Sequence, residues 1–165
     1  MPSAPGKFIE ILGALSRHEV DFILVGGLAA FVSGVPLVTV DVDIVPNPSD
    51  ENRPRLLSAL QELEARYLDP AGRHIEPDLE KLATLRIQRL VTRFGILDVL
   101  AKIGNALTYP DLVDRTHWIE IGGHTLRVLD LDMIIRSKEE ANREKDRASL
   151  PLLRSALRLG KQEVP

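Results

Sequence analysis

The stretch at residues 38–45, Val-Thr-Val-Asp-Val-Asp-Ile-Val, constrains the fold of this chain more than any other. β-Branched apolar residues alternate there with Thr39, Asp41 and Asp43. That is the two-residue period of a strand with one face turned to a core. Side chains at i and i+2 share a face about 6.6–6.8 Å apart, so Asp41 and Asp43 stand side by side while Val42, Ile44 and Val45 suggest a buried opposite face. Two carboxylates held together in this way repel each other unless a cation lies between them. A hard, oxygen-seeking ion such as Mg²⁺ meets that need and keeps coordination sites for water and phosphate oxygens.

A second feature lies just upstream. Phe22 to Val25 is a short apolar run of strand type, broken by Gly26-Gly27 and followed by Leu-Ala-Ala-Phe-Val-Ser-Gly, which reads as a short helix ending at Gly34. Glycine lets the backbone turn sharply and approach a ligand, and the helix start offers free N–H groups to phosphate. Amides for phosphate and carboxylates for metal are the two halves of one site.

The remaining pattern is mixed. Phe8, Ile11, Leu12 and Leu15 predict an opening helix over residues 6–18. Pro46 and Pro48 end the acidic strand, and Asp50 is expected to cap a helix running to about Tyr67. Residues 69–77 read as a loop, with a short helical turn before Leu85. Strands are predicted at 86–92 and 96–102, hinged near Arg93-Phe94-Gly95, and a hairpin around Gly122-Gly123 joins 117–121 to 124–128. From Asp130 onward the pattern is helical, one helix carrying Lys138 and another Leu150, Leu153, Ala156 and Leu157. The expected class is α+β, a mixed sheet covered by helices. Residues 1–129 form the core, and the helices of 130–165 complete the same domain.

Composition narrows the function classes. A chain of 165 residues, 44% hydrophobic and 27% charged, can bury a substantial core. Having no cysteine, it has neither a disulfide framework, a thiolate metal site nor a cysteine nucleophile. The N-terminus lacks a signal-peptide pattern and no run approaches the length of a membrane span. A soluble cytoplasmic protein is expected. The net charge of −3 gives no global attraction to nucleic acid, so any such contact needs a local basic surface.

Val25-Gly26-Gly27 followed by Val40-Asp41-Val42-Asp43-Ile44 resembles the signature of the nucleotidyltransferase superfamily. The wider stretch VGGLAAFVSGVPLVTVDVDIV is most similar to minimal bacterial enzymes of the AbiEii and toxin–antitoxin type. The resemblance implies a nucleotidyltransferase fold, two Mg²⁺ ions and a nucleoside triphosphate as substrate. It implies Asp41, Asp43 and Asp98 as metal-binding and catalytic carboxylates, with Asp98 matching the later-strand acid. Gly26, Gly27, Thr39 and Lys138 would contact the nucleotide, and Asp146, within Arg143-Glu-Lys-Asp146, would contact it or fix Lys138. Gly27 stands where many relatives have Ser, and Leu37 where many have a basic residue. The implied acceptor is a hydroxyl of tRNA or of a partner protein, with a cognate antitoxin as a further partner. An antibiotic nucleotidyltransferase acting on an aminoglycoside or lincosamide is the alternative, and a catalytically silent binding module is another.

Other residues read as structural. His18, His74, His117 and His124 show no metal-ligand spacing. Trp118 is expected to pack between hairpin and helix. Arg136, Arg143, Arg147, Arg154 and Arg158 are interleaved with acids and predict a solvated surface, one stripe of which could guide a polynucleotide.

Overall fold

The computed structural model describes residues 5–84 and 87–162. In chain order its elements are α1 (Pro5–Arg17), β1 (Phe22–Val25), α2 (Gly26–Val32), β2 (Asp41–Pro46), α3 (Asn52–Glu62), β3 (Arg66–Tyr67), α4 (Leu79–Leu82), β4 (Gln88–Thr92) and β5 (Gly95–Val99). They continue with β6 (Lys102–Ile103), β7 (Leu107–Thr108), α5 (Tyr109–Leu112), β8 (Thr116–Ile121), β9 (His124–Leu129), α6 (Leu131–Ala141) and α7 (Glu144–Gln162). Seven strands form one mixed sheet in the order β3-β4-β5-β2-β1-β9-β8, and β6 and β7 form a separate small pair. The architecture is the α+β class read from the sequence, with a C-terminal helical part.

The central strands hold the core. Ile23, Leu24, Val42, Ile44, Leu97 and Val128 are fully buried, and each belongs to a strand with neighbours on both sides. On β2 the alternation is as expected, with Val42 and Ile44 buried and Asp41 and Asp43 only part-buried. The strand is shorter than predicted, beginning at Asp41 rather than Val38. Its partners explain this. Pairing with β5 starts at Asp41–Ile96, and β1 ends at Val25 opposite Asp43. Val38 and Val40 therefore have no ladder to join and are 85% and 55% exposed.

Helix ends also depart from expectation. The helix predicted to reach Tyr67 stops at Glu62, because Glu64 adopts a left-handed φ of 52°. Its N–H donates to Gln61 O and that of Ala65 to Leu60 O, the two bonds of a Schellman closure. The chain then enters β3, which pairs with β4. Asp50 does not cap α3; its carboxylate takes Arg53, and Ser49 Oγ accepts the Asn52 N–H at 3.2 Å. Leu85 and Arg86 lie outside the described residues, and the strand expected from 86 is observed from Gln88. The strand predicted over 96–102 ends at Val99, and Lys102–Ile103 turn away to pair with Leu107–Thr108.

Trp118 does not pack beneath a helix. The two-residue period of β8 turns Ile119 and Ile121 toward the core and leaves Trp118 and Glu120 outward. Trp118 is 62% exposed, and the Arg127 guanidinium lies 4.8 Å from its ring centroid.

The end of the sheet where β1 begins is fixed by a buried amide. Asn52 accepts the Asp21 N–H at 2.7 Å and donates to Asp21 O and Asn47 O at 2.8 and 2.9 Å. It thus joins the start of β1, the exit of β2 and the start of α3. Asn52→Ala would strand these backbone groups in a site that is 3% exposed. The expected loss is on the order of 1–3 kcal/mol of stability, read as a lower urea midpoint at an unchanged m-value.

Candidate metal and nucleotide site

Strand register assembles the acids. β1 and β2 run antiparallel with Val25 opposite Asp43, and β2 and β5 run parallel with Asp43 opposite Asp98. One oxygen from each of Asp41, Asp43 and Asp98 lies within 4.8 Å of the others. The first two come from one face of β2 and the third from the next strand, so the sequence-predicted triad meets at one point. Gly26 follows Val25 directly and has a φ of +72°. A Cβ there would collide with the Asp43 carboxylate, so the glycine is required both by its conformation and by the close approach of the acid.

The electrostatics are those of crowded acids in a dry place. Asp43 is pushed up to about 7, first by burial and then by the negative charges of Asp98 and Asp41, with Lys145 opposing. Asp98 is also raised, by burial above all, although Arg89 works against the shift. Asp41 Oδ1 and Asp98 Oδ1 are buried with no hydrogen-bond partner among the described residues. Orphaned carboxylate oxygens are costly, and an oxygen-only donor set suits a hard divalent cation. The residues fit Mg²⁺.

These acids line a cleft of about 750 Å³ that also contains Gly26, Gly27, Thr39 and Lys138. Thr39 packs against Gly27 and its hydroxyl donates to Asp41 O at 3.1 Å. Lys138 Nζ reaches Asp146 Oδ1 at 3.5 Å, while Arg143 Nε donates to Asp146 Oδ2 at 2.7 Å. Asp146 is fully buried. Burial opposes its charge, but the bonds from Arg143 and the nearness of Lys138 outweigh this and hold its carboxyl below the usual range. It meets the cleft through those two cations, not with its own surface.

Three contributors to the cleft were missed in the sequence. Arg89 reaches Asp41 Oδ2 at 3.3 Å and Asp98 Oδ2 at 3.5 Å. Its signal was present: with Thr92 paired to Gly95, counting back along the β4–β5 hairpin puts Arg89 opposite Asp98. Lys102 and Glu140 come from the unpredicted β6–β7 turn and from α6. Glu140 accepts from the Asn105 N–H at 3.0 Å and from Arg136 Nε at 2.9 Å, tying that turn to the helix.

The raised Asp43 pKa has a stability consequence. The folded metal-free protein holds a proton there that the unfolded chain releases near the ordinary value of 3.8. This contribution is therefore complete below the unfolded value and is lost as pH rises through about 7. In chelator, Tm should fall on going from about pH 5.5 to about pH 8, and added Mg²⁺ should raise Tm more at the higher pH. Thermal melts with and without Mg²⁺ at both pH values check this.

No family model matches the sequence, and no curated protein matches it. Solved structures do match it in three dimensions. A lincosamide antibiotic adenylyltransferase, LnuA, in its lincomycin-bound form, aligns with a TM-score of 0.65 at 13% identity over 94% of this chain and 99% of that one. The antibiotic-resistance factor ANT(2″)-Ia, in complex with adenylyl-2″-tobramycin, gives 0.57 at 19% identity over 95% and 91%. An antigenic nucleotidyltransferase-like protein from Paracoccidioides brasiliensis gives 0.54 at 16% identity over 96% and 79%. At such identities the likeness is one of architecture: this chain has the nucleotidyltransferase fold.

Proposed function

We propose that this protein is a Mg²⁺-dependent nucleotidyltransferase that passes a nucleotidyl group from a nucleoside triphosphate to an acceptor hydroxyl. The observation that carries the reading is the convergence of Asp41, Asp43 and Asp98 within 4.8 Å, in contact with the Gly26 turn. Asp41 and Asp43 hold the metal, and Asp98 completes its shell and orients the acceptor. Bound Mg²⁺, as two ions, supplies charge stabilisation for the triphosphate and acidifies the hydroxyl. Gly26, Gly27 and Thr39 shape the wall on which the phosphates lie, and the backbone amides there serve in place of a serine. Lys138 offsets charge developing on the leaving pyrophosphate, held in position by Asp146. The acceptor oxygen bonds to the α-phosphorus, the bond to the β-phosphate bridge breaks, and the hydroxyl proton passes to Asp98.

The acceptor we favour is tRNA, as in a toxin-like enzyme with a cognate antitoxin. Outside the triad, Arg89, Lys102, Lys138, Arg143 and Lys145 line the cleft with one acid, Glu140, which pairs with Arg136. Arg89 is engaged by the triad, and Lys138 and Arg143 by buried Asp146. Lys102 and Lys145 are thus the cations of this wall that form no ion pair with a carboxylate among the described residues. With the triad neutralised by metal, such a wall favours a polyanion over a polycationic aminoglycoside. A partner-protein hydroxyl fits this wall less directly. The antibiotic reading rests on the likeness to LnuA and ANT(2″)-Ia, and a lincosamide, carrying less positive charge, is its better form.

The test is incubation with α-labelled nucleoside triphosphates, Mg²⁺, total tRNA, a protein fraction and both drug classes. Label on tRNA is expected. Label confined to a drug would sink the tRNA assignment, and nucleotide binding without transfer would indicate a silent module. Asp41→Asn and Asp43→Asn should each reduce transfer by about a hundred-fold or more, as expected when a group stabilising developing charge is removed.

A further inference from the structure

Among the described residues, Arg89 is the one cation that forms ion pairs with two members of the triad. Its Nη2 donates to Asp41 Oδ2 at 3.3 Å, and its Nη1 lies 3.5 Å from Asp98 Oδ2. Both contacts are long for charge-assisted bonds, which favour about 2.7–2.9 Å. The guanidinium side chain is 44% exposed, whereas the carboxylates beneath it are 17% and 11% exposed. It thus lies over the triad from the solvent side, while the opposite oxygens, Asp41 Oδ1 and Asp98 Oδ1, are buried and unpartnered. The cross-strand pairing of Arg89 with Asp98 holds its backbone in place, so only the side chain is free to move.

We infer that Arg89 is a built-in counter-ion that occupies the outer side of the triad before metal arrives and must be displaced for metal to bind. The inference rests on the metal-binding reading of the triad. An arginine cannot lose its charge at working pH, so it and a divalent ion held by the free Oδ1 atoms of the same two carboxylates repel each other strongly. Arg89 therefore lowers the affinity for metal alone. In exchange it reduces repulsion among the acids when the site holds no ion. Displaced, the guanidinium remains at the cleft wall, on the side away from the Gly26 turn, and adds to the cationic surface that faces an incoming polyanion.

The experiment is direct Mn²⁺ binding, without nucleotide, to the chelator-stripped full chain, followed by the paramagnetic signal of the free ion. Wild type, Arg89→Gln, Arg89→Lys and Asp43→Asn are compared, with circular dichroism to establish folding. Arg89→Gln should bind Mn²⁺ about ten-fold more tightly, the scale of one opposing charge at a partly screened site. Arg89→Lys should stay near wild type. In chelator at neutral pH Arg89→Gln should also melt below wild type. Unchanged or weaker Mn²⁺ affinity in Arg89→Gln, with binding still lost in Asp43→Asn, overturns the counter-ion role and leaves the metal site standing. Absence of Mn²⁺ binding in wild type and Arg89→Gln alike overturns both.

Discussion

Mutual repulsion among three carboxylates on adjacent strands is the constraint around which this structure is arranged. Asp41 and Asp43 share a face because a strand repeats every two residues, and Asp98 joins them because β2 and β5 are parallel and in register. Nothing about that grouping is favourable by itself. It persists because the opposite face of the same strands carries Val42, Ile44 and Leu97 into a fully buried core. Sliding β2 by one residue would carry Asp41 and Asp43 into the core and bring Val42 and Ile44 to the cleft, so core packing enforces the crowding. The rest of the cleft answers that concentration of charge: Arg89 from β4, and Lys138, Arg143 and Lys145 from the two C-terminal helices and the junction between them.

Much of this was legible in the sequence, for identifiable reasons. The alternation around Asp41 and Asp43 reports its own geometry. Gly26-Gly27 punctuates a strand and a helix with the residue type that the turn demands. Asp98 was found through resemblance, since no local pattern relates residues so far apart in sequence. What escaped notice depended on pairings between distant segments. Arg89 matters only through the register of the β4–β5 hairpin, and Asn52 only because two chain segments meet it.

The end of α3 departs from expectation for a different reason, one it shares with the closure of α1. Gly34 closes α2 with the expected residue, but α1 and α3 close on Glu19 and Glu64, with φ of 56° and 52°. In both, the following residue returns its N–H to a buried leucine's carbonyl, Val20 to Leu15 and Ala65 to Leu60. Apolar contact across the closure compensates for the strain of a left-handed glutamate. The signal lay in the pairing of two apolar positions and not in a glycine. Trp118 failed similarly: size argued for burial, while strand parity sent it outward.

The bond between Glu140 and the β6–β7 turn has a wider implication. One carboxylate joins a turn on the far rim of the cleft to the helix that bears Lys138. The position of that rim relative to the acid-bearing strands therefore depends on how α6 lies as well as on β5, which leads into the turn. Changes along α6 or in residues 103–107 can enlarge or narrow the entrance while the acids keep their spacing. A cleft arranged in this way can vary at its mouth while its floor stays fixed.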